Sequence, residues 1–233
     1  MSGKPTLGLT FFLACAMLAQ AATAAPADDR LLPLDQYTSD KSRTLATTHG
    51  QALRDLSTGI YHCLPWVEIQ KHSIGFFKPK HLAGGDIRYL SLRIYIEQDP
   101  SADFARLRVE DRASAMFSRY VGPLLRRMTK SQAIAADTGV EGFTIILEWL
   151  KQAQRGAGDR PVHETIAIFI DKPVAVEYLA RATPITEVAA KARVLGFDGE
   201  TALGSLRLAV CDDNFVTTYN VANYVLEPGV TCG

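Results

Sequence analysis

The sequence predicts an α+β fold, a mostly antiparallel sheet with helices packed on it. Three observations carry this. Residues 87–97, "IRYLSLRIYIE", alternate between two faces, as a strand with one buried side does. After residue 142, apolar runs follow one another on short polar connections, the pattern of an antiparallel meander. Between these groups lie segments whose apolar residues recur at helical spacing. Strands grouped apart from helices argue for helices on one face of the sheet.

Residues 25–40 read as an extended lead-in with Pro26 and Pro33. A helix is expected near 41–60. Leu45, Ala52, Leu53, Leu56 and Ile60 form its stripe, and Ser39 or Asp40 caps its start. Pro65 ends any helix running through Cys63. Trp66 to Phe77 shows no clean period and reads as a short strand or an irregular packed segment. "HLAGGD" is a turn in which Gly84 and Gly85 take positive φ. In the strand at 87–97, Arg88, Leu90, Leu92, Ile94 and Ile96 share one face. Tyr89, Ser91, Arg93 and Tyr95 share the other.

A second helix is expected near 102–121, with Phe104, Val109, Ala113, Met116, Phe117 and Tyr120 on roughly one face. Gly122-Pro123 should stop or kink it, and "LLRRM" adds at most one more turn. Three meander strands follow at 143–151, 162–170 and 174–180. A helix at 184–195 has Thr183 as cap and Pro184 in its first turn. A last strand is expected at 205–210, and "FVTTYNVANYVL" reads as a further strand or a tail. The division is therefore a leader at 1–24, a lead-in at 25–40 and one α+β domain at 41–233.

The leader is read from "MSGKPTLGLTFFLACAMLAQAATA". Lys4 precedes an apolar run from Leu7 to Leu18, and Ala22 and Ala24 have the spacing of a signal-peptidase site. The run falls short of the roughly 20 residues of a membrane span. The expectation is a cleaved secretory signal and an exported protein, periplasmic or secreted, with no transmembrane segment after cleavage. An uncleaved anchor and lipid attachment at Cys15 are the alternatives.

Composition narrows the function. The 25 Lys and Arg balance 25 Asp and Glu, so the chain lacks the basic excess of a nucleic-acid binder. Hydrophobic residues make up 47%, enough for a full core without metals or disulfides to hold it. Export permits disulfides. Of Cys63, Cys211 and Cys232, the pair Cys211–Cys232 closes the shortest loop and leaves Cys63 as a free thiol.

"YHCLPWVEIQKHSIGFFKPKH" (61–81) concentrates the candidate chemistry. His62, Cys63, His72 and His81 offer nitrogen and sulfur ligands that zinc accepts. They match no zinc-ligand spacing, and the plainer reading is scattered histidines around a core tryptophan. Cys63 with a histidine such as His62 and an acid such as Asp86 or Asp212 could supply a nucleophile, its base and an acid, since such groups need only meet in space. No protease signature, nucleophile elbow, phosphate loop or dinucleotide fingerprint is present, so no cofactor is expected. "RGAGDR" is better read as a hairpin turn and Asp212-Asp213 as a polar turn. "RRMTK" complements a helix C-terminus. Aromatic residues such as Phe77, Tyr89 and Tyr95 could line a pocket, though at strand spacing they usually form core.

The expected function is a non-catalytic exported domain that binds an envelope protein or a small ligand. Whether the chain is an enzyme stays open, and the missing motifs weigh against it. The alternatives are an exported hydrolase using Cys63 or a histidine, and a subunit of an envelope assembly with a free strand edge near 205–226.

Overall fold

The computed structural model describes residues 28–63, 67–96, 102–152 and 161–210. The leader at 1–24, Cys211, Cys232 and the "FVTTYNVANYVL" segment lie outside the described residues.

The structure is an α+β fold. Its seven strands are β1 (Val67–Ile69), β2 (Gly75–Phe77), β3 (Tyr89–Ile96), β4 (Gly142–Gln152), β5 (Val162–Asp171), β6 (Arg193–Asp198) and β7 (Thr201–Ser205). They form one sheet in the order β1-β3-β4-β5-β6-β7. β2 shares the outer edge of β3 with β1. Val67 lies opposite Ile96 at one end, and Gly75 lies opposite Ser91 at the other. All pairings are antiparallel except β3–β4. That parallel pair requires a crossover connection, and helices fill it.

The strict alternation in β3 has its cause in burial. Leu90, Leu92, Ile94 and Ile96 are all 0% exposed. Register sets them beside Phe143, Ile145, Leu147 and Trp149 of β4. These in turn face Ile170, Ile168, Ile166 and Glu164 of β5. Leu45 of α1 (Asp40–Thr48), Leu53, Leu56 and Ile60 of α2 (Gly50–Cys63) and Leu124 and Leu125 of α5 (Gly122–Met128) join the same buried cluster. At about 1.5–3 kcal/mol per fully buried large apolar side chain, this layer supplies most of the drive to fold.

One charge interrupts that face. Glu164 is met by Arg112 of α4 (Val109–Met116) in a bidentate pair, with N–O distances of 2.6 and 2.5 Å. Trp149 Nε1 donates to the same carboxylate at 3.1 Å. Arg112 also donates to the carbonyls of Leu107 and, at 3.4 Å, Ala105. The pair fastens α4 and the end of α3 (Ala102–Arg106) to the sheet.

Several elements differ from expectation. The helix expected at 41–60 is two helices. His49, with φ −102° and ψ 15°, closes α1, and Gly50 opens α2. Glycine is a weak helix former, and a bond from His49 to Asp137 holds the histidine in place. The helix expected at 102–121 is α3, α4 and a π turn at Phe117–Val121 that runs on into α5. Pro123 has no N–H for the carbonyl four residues earlier. The wider turn absorbs that gap, so the chain passes Gly122-Pro123 without stopping.

The strand expected at 174–180 is a helix, α7 (Lys172–Leu179). Val174 and Val176 suggested a strand, but Pro173 lies in the first helical turn, where its fixed φ is favourable. The place beside β5 goes to β6 instead. The helix expected at 184–195 is shorter, α8 (Ile185–Lys191), because Arg193 to Leu195 already belong to β6. The strand expected at 205–210 is displaced to β7, Thr201–Ser205. Gly199, at φ 56°, lies in the turn before it. Residues 206–210 then return toward the helices. Leu206 N–H bonds Val194 O, and Ala209 N–H bonds Ser114 Oγ. Trp66–Phe77 contains two three-residue strands separated by a turn.

Among the described residues, no helix is long and apolar enough to cross a membrane.

Candidate functional site: the uncovered face of the sheet

The second face of the sheet is built differently from the first. Alternation presents Ser91 and Arg93 from β3, Thr144 and Ile146 from β4, Thr165, Ala167 and Phe169 from β5, and Leu195 and Phe197 from β6. Ile146, Phe169, Leu195 and Phe197 are only half-buried. No helix of the described residues lines this face. Instead the loop after β2, which begins Lys78-Pro79-Lys80-His81, walls a groove of about 640 Å³. Small-molecule sites commonly span about 300–1,000 Å³, with an apolar lining and few polar groups.

The rim is basic. Lys71, Lys78, Lys80, Arg93, His72 and His81 line the groove, and among the described residues no aspartate or glutamate does. Lys78 Nζ donates to the carbonyls of Gly84 and Gly85 at 2.8 and 3.0 Å, which closes the loop. Those two glycines have φ of 73° and 54°, as the turn demands. Lys71 pairs with Asp29 at 3.0 Å. Arg93 pairs with Glu148 at 2.6 Å, and Gln70 donates to the same carboxylate oxygen at 2.8 Å. His163 Nδ1 lies 3.3 Å from the other oxygen of Glu148.

Two polar atoms of the lining are buried without a hydrogen-bond partner among the described residues, His81 Nδ1 and Arg93 Nε. The His81 ring stands edge-on to Phe169, with centroids 4.3 Å apart. Burial, and then the positive charge of Arg193, hold its pKa below the ordinary imidazole value, while Asp171 pulls the other way. At the same end of the sheet, Tyr89 donates its hydroxyl to Asp171 Oδ1. Burial and that bond push the phenol pKa up.

A second cleft of about 600 Å³ lies between α2 and the α5–α6 segment, where α6 is Gln132–Ala136. His49 borders it. This histidine is buried, and its Nε2 lies 2.8 Å from Asp137 Oδ2. Gly139 N–H donates to the other oxygen of Asp137 at 2.7 Å. The His49 bond, and then the Gly139 bond, hold the Asp137 carboxyl below its usual range. Among the described residues, no serine, threonine or cysteine side chain hydrogen-bonds His49. The His49–Asp137 pair ties the α1–α2 corner to the loop before β4.

His72 and His81 both border the groove. His72 sits in the turn after β1, with φ 54°. His62 and Cys63 close α2, a helix whose apolar stripe packs on the opposite face, and their side chains lie outside the described residues. Asp86 is exposed and pairs with Arg88, which also donates to Ser39 Oγ at the cap of α1. Among the described residues, no three His, Cys, Asp or Glu side chains gather as a metal-binding group.

Lys78, Lys80 and Arg93 were not singled out. Their signal was faint: a "KPKH" run, and a β3 face whose outer positions, Ser91 and Arg93, are polar where a two-sided core would be apolar. The aromatic residues divide. Phe77 lines the groove, whereas Phe76 and Trp149 are core.

Comparison with known proteins finds no match to a family model, to a curated protein or to a solved structure.

Proposed function

We propose that this protein is an exported, non-catalytic domain that binds a small ligand on the uncovered face of its sheet. One observation carries the binding reading. A face with half-buried Ile146, Phe169, Leu195 and Phe197 lacks a covering helix among the described residues, yet a loop walls it into a groove. Folding gains by covering apolar surface, and an open apolar groove of this size marks a place where another molecule can do so. The leader-like segment at 1–24 supports export.

Titration with Nile red, a neutral apolar dye that brightens in apolar surroundings, tests the binding reading. One saturable site per chain is expected. Thr165→Trp places a large ring in the groove at a strand position that tolerates aromatics, so it should remove that site without lowering the melting temperature appreciably. No saturable site, or a folded Thr165→Trp variant that binds unchanged, would overturn the assignment. Recovery of the protein in the cytoplasm, rather than in the periplasm or the medium, after expression with an export apparatus would count against export.

A further inference from the structure

We infer that the groove takes an anionic amphiphile, with a carboxylate or comparable anion at the loop and an alkyl or similarly apolar body across the strands. This rests on the reading of the groove as the binding site. The chain as a whole is electrically balanced, with 25 basic and 25 acidic residues, so a lining that among the described residues has four cationic side chains, two histidines and no carboxylate is a local choice. Two of the four cations are matched, Lys71 by Asp29 and Arg93 by Glu148. Lys78 and Lys80 have no carboxylate partner among the described residues. Among the described residues Lys78 is bound to neutral carbonyls, which do not compensate its charge.

The unpartnered atoms point to the same chemistry. Arg93 Nε is always a donor, because a guanidinium does not lose its proton in proteins. A buried donor without an acceptor costs free energy, and an anionic oxygen is its strongest partner. His81 Nδ1 can donate as well, in the tautomer or charge state that an anion selects. The apolar body has its own track. Ile146, Ala167 and Leu195 follow Arg93 in register across β4, β5 and β6. Three strand spacings make this row about 14 Å long, which suits an alkyl chain of medium length.

Calorimetric titration of the full chain with decanoate, decanol and decyltrimethylammonium tests the inference. Decanoate should bind at least tenfold more tightly than decanol, and the cation should not bind. Lys80→Gln, a change at an exposed side chain, should weaken decanoate severalfold and leave decanol unchanged. Arg93→Gln should weaken decanoate further, with folding checked by circular dichroism. Equal affinity for decanoate and decanol would overturn the anionic assignment and leave the groove standing. Decanoate binding unchanged in a folded Thr165→Trp variant would overturn the groove itself. Failure of all three probes while Nile red still binds one site would overturn the choice of a linear amphiphile.

Discussion

Arg112→Met leaves the Glu164 carboxylate, 1% exposed, without its bidentate partner. Removing one member of a buried ion pair costs about 3–5 kcal/mol, because the remaining charge is stranded. Two neighbours of Glu164 reduce the loss. Trp149 Nε1 still donates at 3.1 Å, and Lys151 lies 3.6 Å away, already shared with Asp198. Against that, the Leu107 and Ala105 carbonyls lose their donor. The expected cost is therefore near the lower end, about 3 kcal/mol. For a chain of this size it lowers the melting temperature by about 6–12 °C. Urea denaturation and thermal melting both measure it. The double variant Arg112→Met/Glu164→Leu removes both charges and should regain about 1–2 kcal/mol, leaving only uncharged groups unpaired. A single variant that loses under about 1 kcal/mol would refute the burial argument. So would a double variant less stable than the single.

Further outcomes follow from local geometry. A Cβ on Gly142 would lie 2.5 Å from the Tyr89 ring and 2.6 Å from the Ile170 carbonyl oxygen. Gly142→Ala should therefore cost about 1–3 kcal/mol in a urea titration, since strand backbone cannot step aside. Gly59→Ala, inside α2 with nothing nearer than 3.8 Å, should instead stabilise by about 0.5–1 kcal/mol. Acid should act partly through Asp137. Its carboxyl is held below the ordinary value in the folded state by His49 and Gly139. That contribution is complete above the unfolded pKa of about 4 and is lost as pH falls through the lower folded value. Asp137→Asn should flatten the stability profile below pH about 4, measured by thermal melts across pH.

The class of fold was legible because burial writes itself into period. β3, β4 and β5 each carry an unbroken buried row, and their alternation or apolar runs follow from it. Residues 174–180 read as a strand in the sequence because two valines at alternate positions fit a short strand and a half-buried helix equally well. The decision lay in Pro173, which is placed in the first turn of a helix. The boundary at Arg193 was hidden for a related reason. α8 and β6 are separated by a single residue, Ala192, so helical and strand periods run together. The break at His49 depends on Asp137, a partner 88 residues away. No local pattern reports such a bond.

The candidate site was less visible. Histidines drew attention because their chemistry is versatile, and two of them, His72 and His81, do border the groove. The groove itself arises from a face that no helix of the described residues lines, and from a loop folded back by Lys78 onto the carbonyls of Gly84 and Gly85. Arg93 and Ile146 become neighbours only through the parallel β3–β4 register. Arg112 and Glu164 meet by the same kind of long-range pairing, across 52 residues.

The central claim is that the uncovered sheet face is where this protein binds. Amide chemical shifts, followed by NMR as decanoate is added to the full chain, test it most directly. The account expects saturable shifts at Ser91, Arg93, Thr144, Thr165 and Leu195, with His81 moving at the loop and the α2–α5 residues still. Shifts centred on His49, Ala52 and Ile134 at the second cleft, or none that saturate, would contradict it.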